Sequence, residues 1–271
     1  MKRSLLFLLT VCTFALTNCN GAVLIEAPEM KTVIMGVTDI TVFWELNGVI
    51  EGRADFAGYN VYAYTDSTAL LVDDGEDLNK FNSQIITDTI YWIRGLSQDS
   101  IYYLQVRTVN TEDKVGGYHG TVPFLKGSPR PEFTVSLYLA DTVQTVNHSC
   151  ALVFAGGAIA ADSAMLESGS DMWVLLAQDS VWFCAPSIHP LYGAGGRETM
   201  FGGIGSGEFD SVSTVMAEPG STQIMVLSGD MVVARSQDGN YVKIRVESID
   251  LPAGAITVRF AYQNIAGFPY F

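Results

Sequence analysis

The chain has 271 residues, enough for one large or two modest domains with hydrophobic cores that need no stapling. Hydrophobic residues make up 48% and charged residues 16%, with 26 glycines, which excludes a disordered chain and suits a turn-rich β protein. The net charge of −14 excludes the basic footprint that nucleic-acid binding requires.

Lys2 and Arg3 precede a twelve-residue apolar run, Leu5 to Leu16, broken only by Thr10 and Thr13. Such a run is too short to span a bilayer and fits an export signal over residues 1–18. Its removal takes two cations away from −14, leaving the mature chain near −16. The run ends in "LTNC", residues 16–19, which resembles the lipobox of bacterial lipoproteins. Leu16, Thr17 and Cys19 fit that pattern; Asn18 departs from it, where Gly, Ala or Ser is usual. The resemblance implies acylation of Cys19 and a membrane partner through that lipid. Ordinary secretory cleavage within "CNGA" is the alternative.

Residues 24–125 read as short strands separated by turns. In "ITVFWEL" (40–46), Ile40, Val42, Trp44 and Leu46 share a face. In "YNVYAYT" (59–65), Tyr59, Val61, Ala63 and Thr65 share one, with Tyr62 and Tyr64 opposite. "VDDGEDLN" (72–79) lacks the alternate acids, the glycine at position six and the distal glutamate of a calcium loop and reads as a solvated connection. "TIYWIRGL" (89–96) leads into "GLSQDSIYYLQVRTVN" (95–110), and "GGYHGTVPFL" (116–125) closes the unit.

Trp44 on an early strand, Tyr102 six residues after Leu96, and the continuing Leu104 and Val106 resemble a fibronectin type III domain. The resemblance implies a β-sandwich in which the Tyr102 ring lies across a corner, its hydroxyl bonded to nearby backbone, with Leu96 packed beneath. Gln98 and Asp99 stand where that family commonly has Pro-Gly.

"KGSPRPEF" (126–133) has two prolines, a glycine and two cations, and residues 126–132 are expected to form a linker. Residues 133–271 again read as β. "FTVSLYL" (133–139) alternates, and "DMWVLLAQDSVWFCA" (171–185) is rich in strand formers. "DMVVARSQDGNYVKIRVESI" (230–249) is the clearest hairpin, with Asp238-Gly239 expected as a two-residue turn. Val242, Ile244 and Val246 face one way; Tyr241, Lys243, Arg245 and Glu247 face the other. In "AITVRFAYQ" (255–263), Ile256, Val258, Phe260 and Tyr262 alternate. The hairpin and the strand ending in "FAYQ" are similar to the C-terminal part of HmuY-like lipoproteins, some of which carry haem between paired side chains. No such pair maps onto this sequence.

The expected fold class is therefore all-β: a fibronectin type III-like sandwich followed by a second antiparallel β domain. Cys150 and Cys184 are an even pair in an exported chain. A bridge would close a loop of about 35 residues and contribute roughly 3–4 kcal/mol. Two buried thiols are the other reading. His148 lies two before Cys150 and His189 five after Cys184, so these four residues are candidates for a zinc site, at a spacing that matches no strong pattern. His148, His189, Met172 and Met200 are candidate axial ligands for haem. The seven glycines of "GAGGRETMFGGIGSGEF" (193–209) lack phosphate-loop spacing, and no nucleophile elbow or triad stands out.

These readings lead to a non-catalytic cell-envelope lipoprotein in a binding, adhesion or spacer role, with a protein or surface glycan as partner and no cofactor. Exposed Tyr and Trp on loops would carry the contacts. A haem carrier is the alternative, and an accessory part of a secreted hydrolase comes last.

Overall fold

A computed structural model describes residues 26–72, 77–141 and 149–271. The chain is all-β, with two β domains of two sheets each. Cys19 and His148 lie outside the described residues, as do residues 73–76 of the acidic 72–79 loop.

Six strands build the first domain: β1 (Met30–Met35), β2 (Asp39–Trp44), β3 (Phe56–Tyr64), β4 (Ile90–Arg94), β5 (Tyr102–Asn110) and β6 (Leu125–Gly127). They form antiparallel sheets of order β1-β2-β4 and β3-β5-β6. Period-2 alternation sends Ile40, Val42 and Trp44 from one sheet against Val61, Leu104 and Val106 from the other. Trp44 meets Tyr59 edge to face, with ring centroids 5.4 Å apart. The outer face of β3 and β5 is covered too. A short helix, α1 (Gly48–Glu51), precedes β3; a second, α2 (Ser67–Val72), follows it and lies over Arg107. The Arg107 guanidinium donates to the Leu70 carbonyl at 2.8 Å and stacks on Tyr62.

Tyr102 enters β5 with its hydroxyl 3.0 Å from the Ser97 amide, which it accepts, and Leu96 is buried beside it in the core. The phenol thus satisfies a turn N–H that no ladder reaches. Gln98, in the same turn, reaches back with Nε2 to the Val37 carbonyl at 2.7 Å. Tyr102→Phe is expected to cost about 1 kcal/mol, read as a fall of roughly 3 °C in Tm. An unchanged Tm would show that the corner bond carries no weight.

The second domain contains β7 (Glu132–Tyr138), β8 (Ala140–Asp141), β9 (Ala151–Leu152), β10 (Ile159–Ala160), β11 (Met172–Ala177), β12 (Ser180–Cys184), β13 (Met200–Ser206), β14 (Gln223–Val226), β15 (Asp230–Arg235), β16 (Tyr241–Asp250) and β17 (Ala255–Tyr262). One sheet runs β10-β9-β11-β12-β14, with β8 pairing β11 in parallel; the other runs β13-β15-β16-β17-β7. Between them Val242, Ile244, Val246, Val258 and Phe260 pack against Phe154, Val174 and Phe183.

One turn differs from expectation. Asp238-Gly239 is not a two-residue turn. Ser236 and Asn240 still exchange a backbone bond, so the loop has three residues, and only Gly239 takes positive φ (85°). The two-residue turn with both residues at positive φ lies at Gln178-Asp179 between β11 and β12 (52° and 60°).

The segment expected as a linker is also corrected. Lys126 and Gly127 belong to β6 and Glu132 to β7, so only residues 128–131 cross between the sheets, and they are not a solvated tether. The Arg130 amide donates to the Gly36 carbonyl at 2.9 Å, and the Tyr262 amide donates to the Pro131 carbonyl at 3.1 Å. Asn264 reaches Asp99 across the junction at 3.2 Å, and Tyr270 packs on the first core.

At this junction the outward face of the second sheet is not left to solvent. Residues 207–218 and 268–271 lie over it, burying Tyr241 and Lys243 with Phe209 and Phe271. Arg130 is fully buried there and ion-paired with Glu132, which also pairs with Arg259 at 2.8 Å. Phe209 presents its ring to Arg259 at 4.1 Å and to Lys243 at 4.4 Å.

Candidate functional site

The cysteines do not form a bridge; both are buried thiols. The register gives the reason. Ala151, next to Cys150, pairs with Trp173, and Trp173 pairs with Cys184, so β11 lies between the two strands. Two strand spacings amount to about 9.5 Å, beyond the roughly 7 Å at which a disulfide can close. Burial pushes the Cys184 thiol up to about 12, so it stays protonated and a poor metal ligand.

His189 is not placed as a zinc or haem ligand. Its Nδ1 accepts the amides of Leu191 and Tyr192 at 3.2 and 3.1 Å, and its ring lies against Trp173 and Tyr192. This bonding shapes the loop after β12. Met172 is buried in the main core, while Met200 stands on the opposite sheet, paired with Arg235. The space between the sheets is filled by Phe154, Phe183, Phe201 and Phe260, which leaves no slot for a haem there. Among the described residues no group of three or more His, Cys, Asp or Glu is placed to hold a metal.

The arrangement best suited to recognition lies on the first domain. β4 is an edge strand in which Ile93 points into the core, so Trp92 and Arg94 point outward. Trp92 stands cross-strand from Thr41 and is 51% exposed. Phe81, Tyr91, Trp92 and Arg94 line an open hollow of about 410 Å³.

The hollow is held by a buried asparagine. Asn82 accepts the Val61 amide through Oδ1 at 2.8 Å, and its Nδ2 donates to Asn60 Oδ1 at 2.7 Å and to the Gln84 carbonyl at 2.8 Å. The Phe81 amide donates to the Val61 carbonyl at 2.9 Å, and residues 59 and 86 exchange two backbone bonds. Phe81 is therefore fixed to β3 rather than carried on a loose loop. The Tyr91 hydroxyl donates to the Phe81 carbonyl at 3.2 Å, which ties the end of that ring to the Phe81 backbone. Trp92 lies on a strand rather than a loop. The alternation in "TIYWIR" places Trp92 outside, but nothing local in the sequence marks Phe81 and Asn82 as its neighbours.

No family model matches the chain, and no curated protein does. Among solved structures, one from Yersinia enterocolitica, a family 28 exopolygalacturonase, aligns at 14% identity over 43% of this chain and 22% of that one. Its TM-score of 0.26 carries no argument about fold or activity here.

Proposed function

We propose that this chain is an exported, lipid-anchored envelope protein that binds sugar chains without acting on them, through the aromatic hollow of its first domain. The export run and the "LTNC" segment support the location, with Cys19 as the acylated residue. The first domain, on this reading, is a fibronectin type III module serving as the binding platform; its strand order and the Tyr102 corner support that assignment.

The observation that carries the proposal is Trp92, half exposed on a rigid strand between Tyr91, Phe81 and Arg94. A pyranose ring offers a flat face of polarised C–H groups to an aromatic ring and hydroxyls around its rim. Arg94 supplies donors beside the stacking surface. A protein partner fits the site less well, since a stable interface takes about 800 Å² and some 20–30 residues from each side. Single-stranded nucleic acid also stacks on aromatics, but the −14 charge opposes it.

Trp92→Ala is expected to weaken binding to envelope polysaccharide by about tenfold, corresponding to roughly 1.4 kcal/mol of lost contact. Affinity electrophoresis in polysaccharide gels measures this, with Tm as the control for folding. Equal retardation of the variant and the parent would reject the hollow as the binding site.

A further inference from the structure

A second site, independent of the aromatic hollow, lies on the other domain. The covering segment 207–218 does not seal the outer face of its sheet. Between that segment and the edge strand β13 is a cavity of about 560 Å³, within the usual range of small-molecule sites. Its apolar lining includes Gly202, Ile204, Val212, Val233, Met216 and Ala217. Gly202 pairs with Val233 and points the same way, so the missing side chain leaves the floor open.

The walls are built rather than draped. The Val215 amide donates to the Pro269 carbonyl and the Phe271 amide to the Ser213 carbonyl, at 2.9 and 2.8 Å. At the far end Glu218 accepts from Arg235 at 2.7 Å and from the Tyr241 hydroxyl at 2.6 Å. Met216 stands 89% exposed at the rim, an apolar side chain with no cover.

The polar groups share one character. The Ser211 hydroxyl donates to the Glu208 carbonyl and the Thr214 hydroxyl to the Pro269 carbonyl, so both protons are engaged and what these hydroxyls can still offer is lone pairs. A carboxylate has about four acceptor positions, and two of those on Glu218 are taken. The site is therefore rich in acceptors, within a protein of charge −14. We infer that this cavity binds a small molecule with an apolar body and a protonated amine, the body over Gly202 and Val233 and the amine toward Glu218. A carboxylate-headed ligand would find the Ser211 and Thr214 protons already donated and the Arg235 guanidinium already paired with Glu218.

Octylamine, octanoate and octanol, titrated calorimetrically into the full mature protein, test the inference. Octylamine is expected to bind at one site, at least tenfold more tightly than octanoate. Gly202 has no positive φ, and a Cβ there would meet only Pro219 at 3.4 Å, an ordinary contact. Gly202→Leu should therefore fold, fill the floor and weaken octylamine at least tenfold. Glu218→Gln should weaken octylamine while leaving octanol unchanged, which separates loss of the amine contact from loss of the cavity. Trp92→Ala should change none of these values, so failure here and failure of the glycan reading are distinguishable. Octanoate binding as well as octylamine, octylamine binding insensitive to both substitutions, or no binding of octylamine would each overturn the inference.

Discussion

Glu132→Gln is expected to destabilise the protein by about 3 kcal/mol, because it leaves two guanidinium groups at the junction short of a counter-charge. Glu132 starts β7 and receives both Arg130 and Arg259. Arg130 is fully buried, so water cannot replace the lost carboxylate, and two of its nitrogens, Nε and Nη2, already lack a hydrogen-bond partner. Burial by itself would push the Glu132 carboxyl up, but the Arg130 and Arg259 charges outweigh it and hold the carboxyl below its ordinary value. A depressed carboxylate contributes stability above its unfolded pKa of about 4.3 and loses that contribution as pH falls through the folded value. The difference between parent and variant should thus be full at neutral pH and shrink under acid. Urea denaturation at pH 7 and at pH 3 measures both. The double replacement Arg130→Met with Glu132→Met should cost less than Glu132→Gln alone, since removing both partners removes the desolvated charge as well. A Glu132→Gln variant as stable as the parent would show that the cluster is solvated.

Lys243→Met is expected to do the opposite and raise stability, by roughly 2 kcal/mol at pH 6. Lys243 sits mid-strand in β16 beneath the covering segment, its Nζ donating to the Val212 carbonyl at 2.7 Å. Desolvation is the main cause that lowers its pKa, to about 7. Arg130 lowers it further, Asp210 and Glu132 raise it, and Arg259 lowers it again. With Lys243 neutral, two arginines face two carboxylates and the cluster balances. The folded pKa lies below the unfolded one, so the folded state holds fewer protons between the two values. Stability therefore rises with pH from about 7 to about 10.5, and the full penalty falls below pH 7. Methionine keeps the length, removes the titration and gives up the Val212 bond, which offsets part of the gain. Denaturation midpoints from pH 6 to 10 should climb in the parent and stay flat over that window in Lys243→Met. Parallel curves would mean that the amine is charged and hydrated in the folded state.

Both effects arise where sequence patterning stops being informative. Alternation placed Val242, Ile244 and Val246 on one face and Tyr241 and Lys243 on the other, and the strands follow it. It does not say what covers the second face. That cover comes from residues 207–218, whose glycine-rich approach reads as a plain connection, and from Phe268 to Phe271, which begin 25 residues after Lys243. A lysine at a polar position reads as solvent-facing until a distant segment closes over it. The Tyr102 corner was an expectation of the family resemblance, and the bond it makes is local, five residues back to Ser97. The cysteines were not. Even number and export favour a bridge, whereas the decisive fact is that β11 lies between them, a matter of sheet order. The aromatic hollow was half legible. Trp92 is outward by period, but Phe81 reaches it only through Asn82 and its bonds to β3.

The stitched crossing at residues 128–131 has a mechanical consequence. Torque applied to one domain passes to the other without a swivel, because backbone bonds to Gly36 on one side and Tyr262 on the other clamp the short span. A chain caught at Trp92 would then be held at a set bearing to the cavity floored by Gly202, and drag on that chain would act through a stiff lever arm.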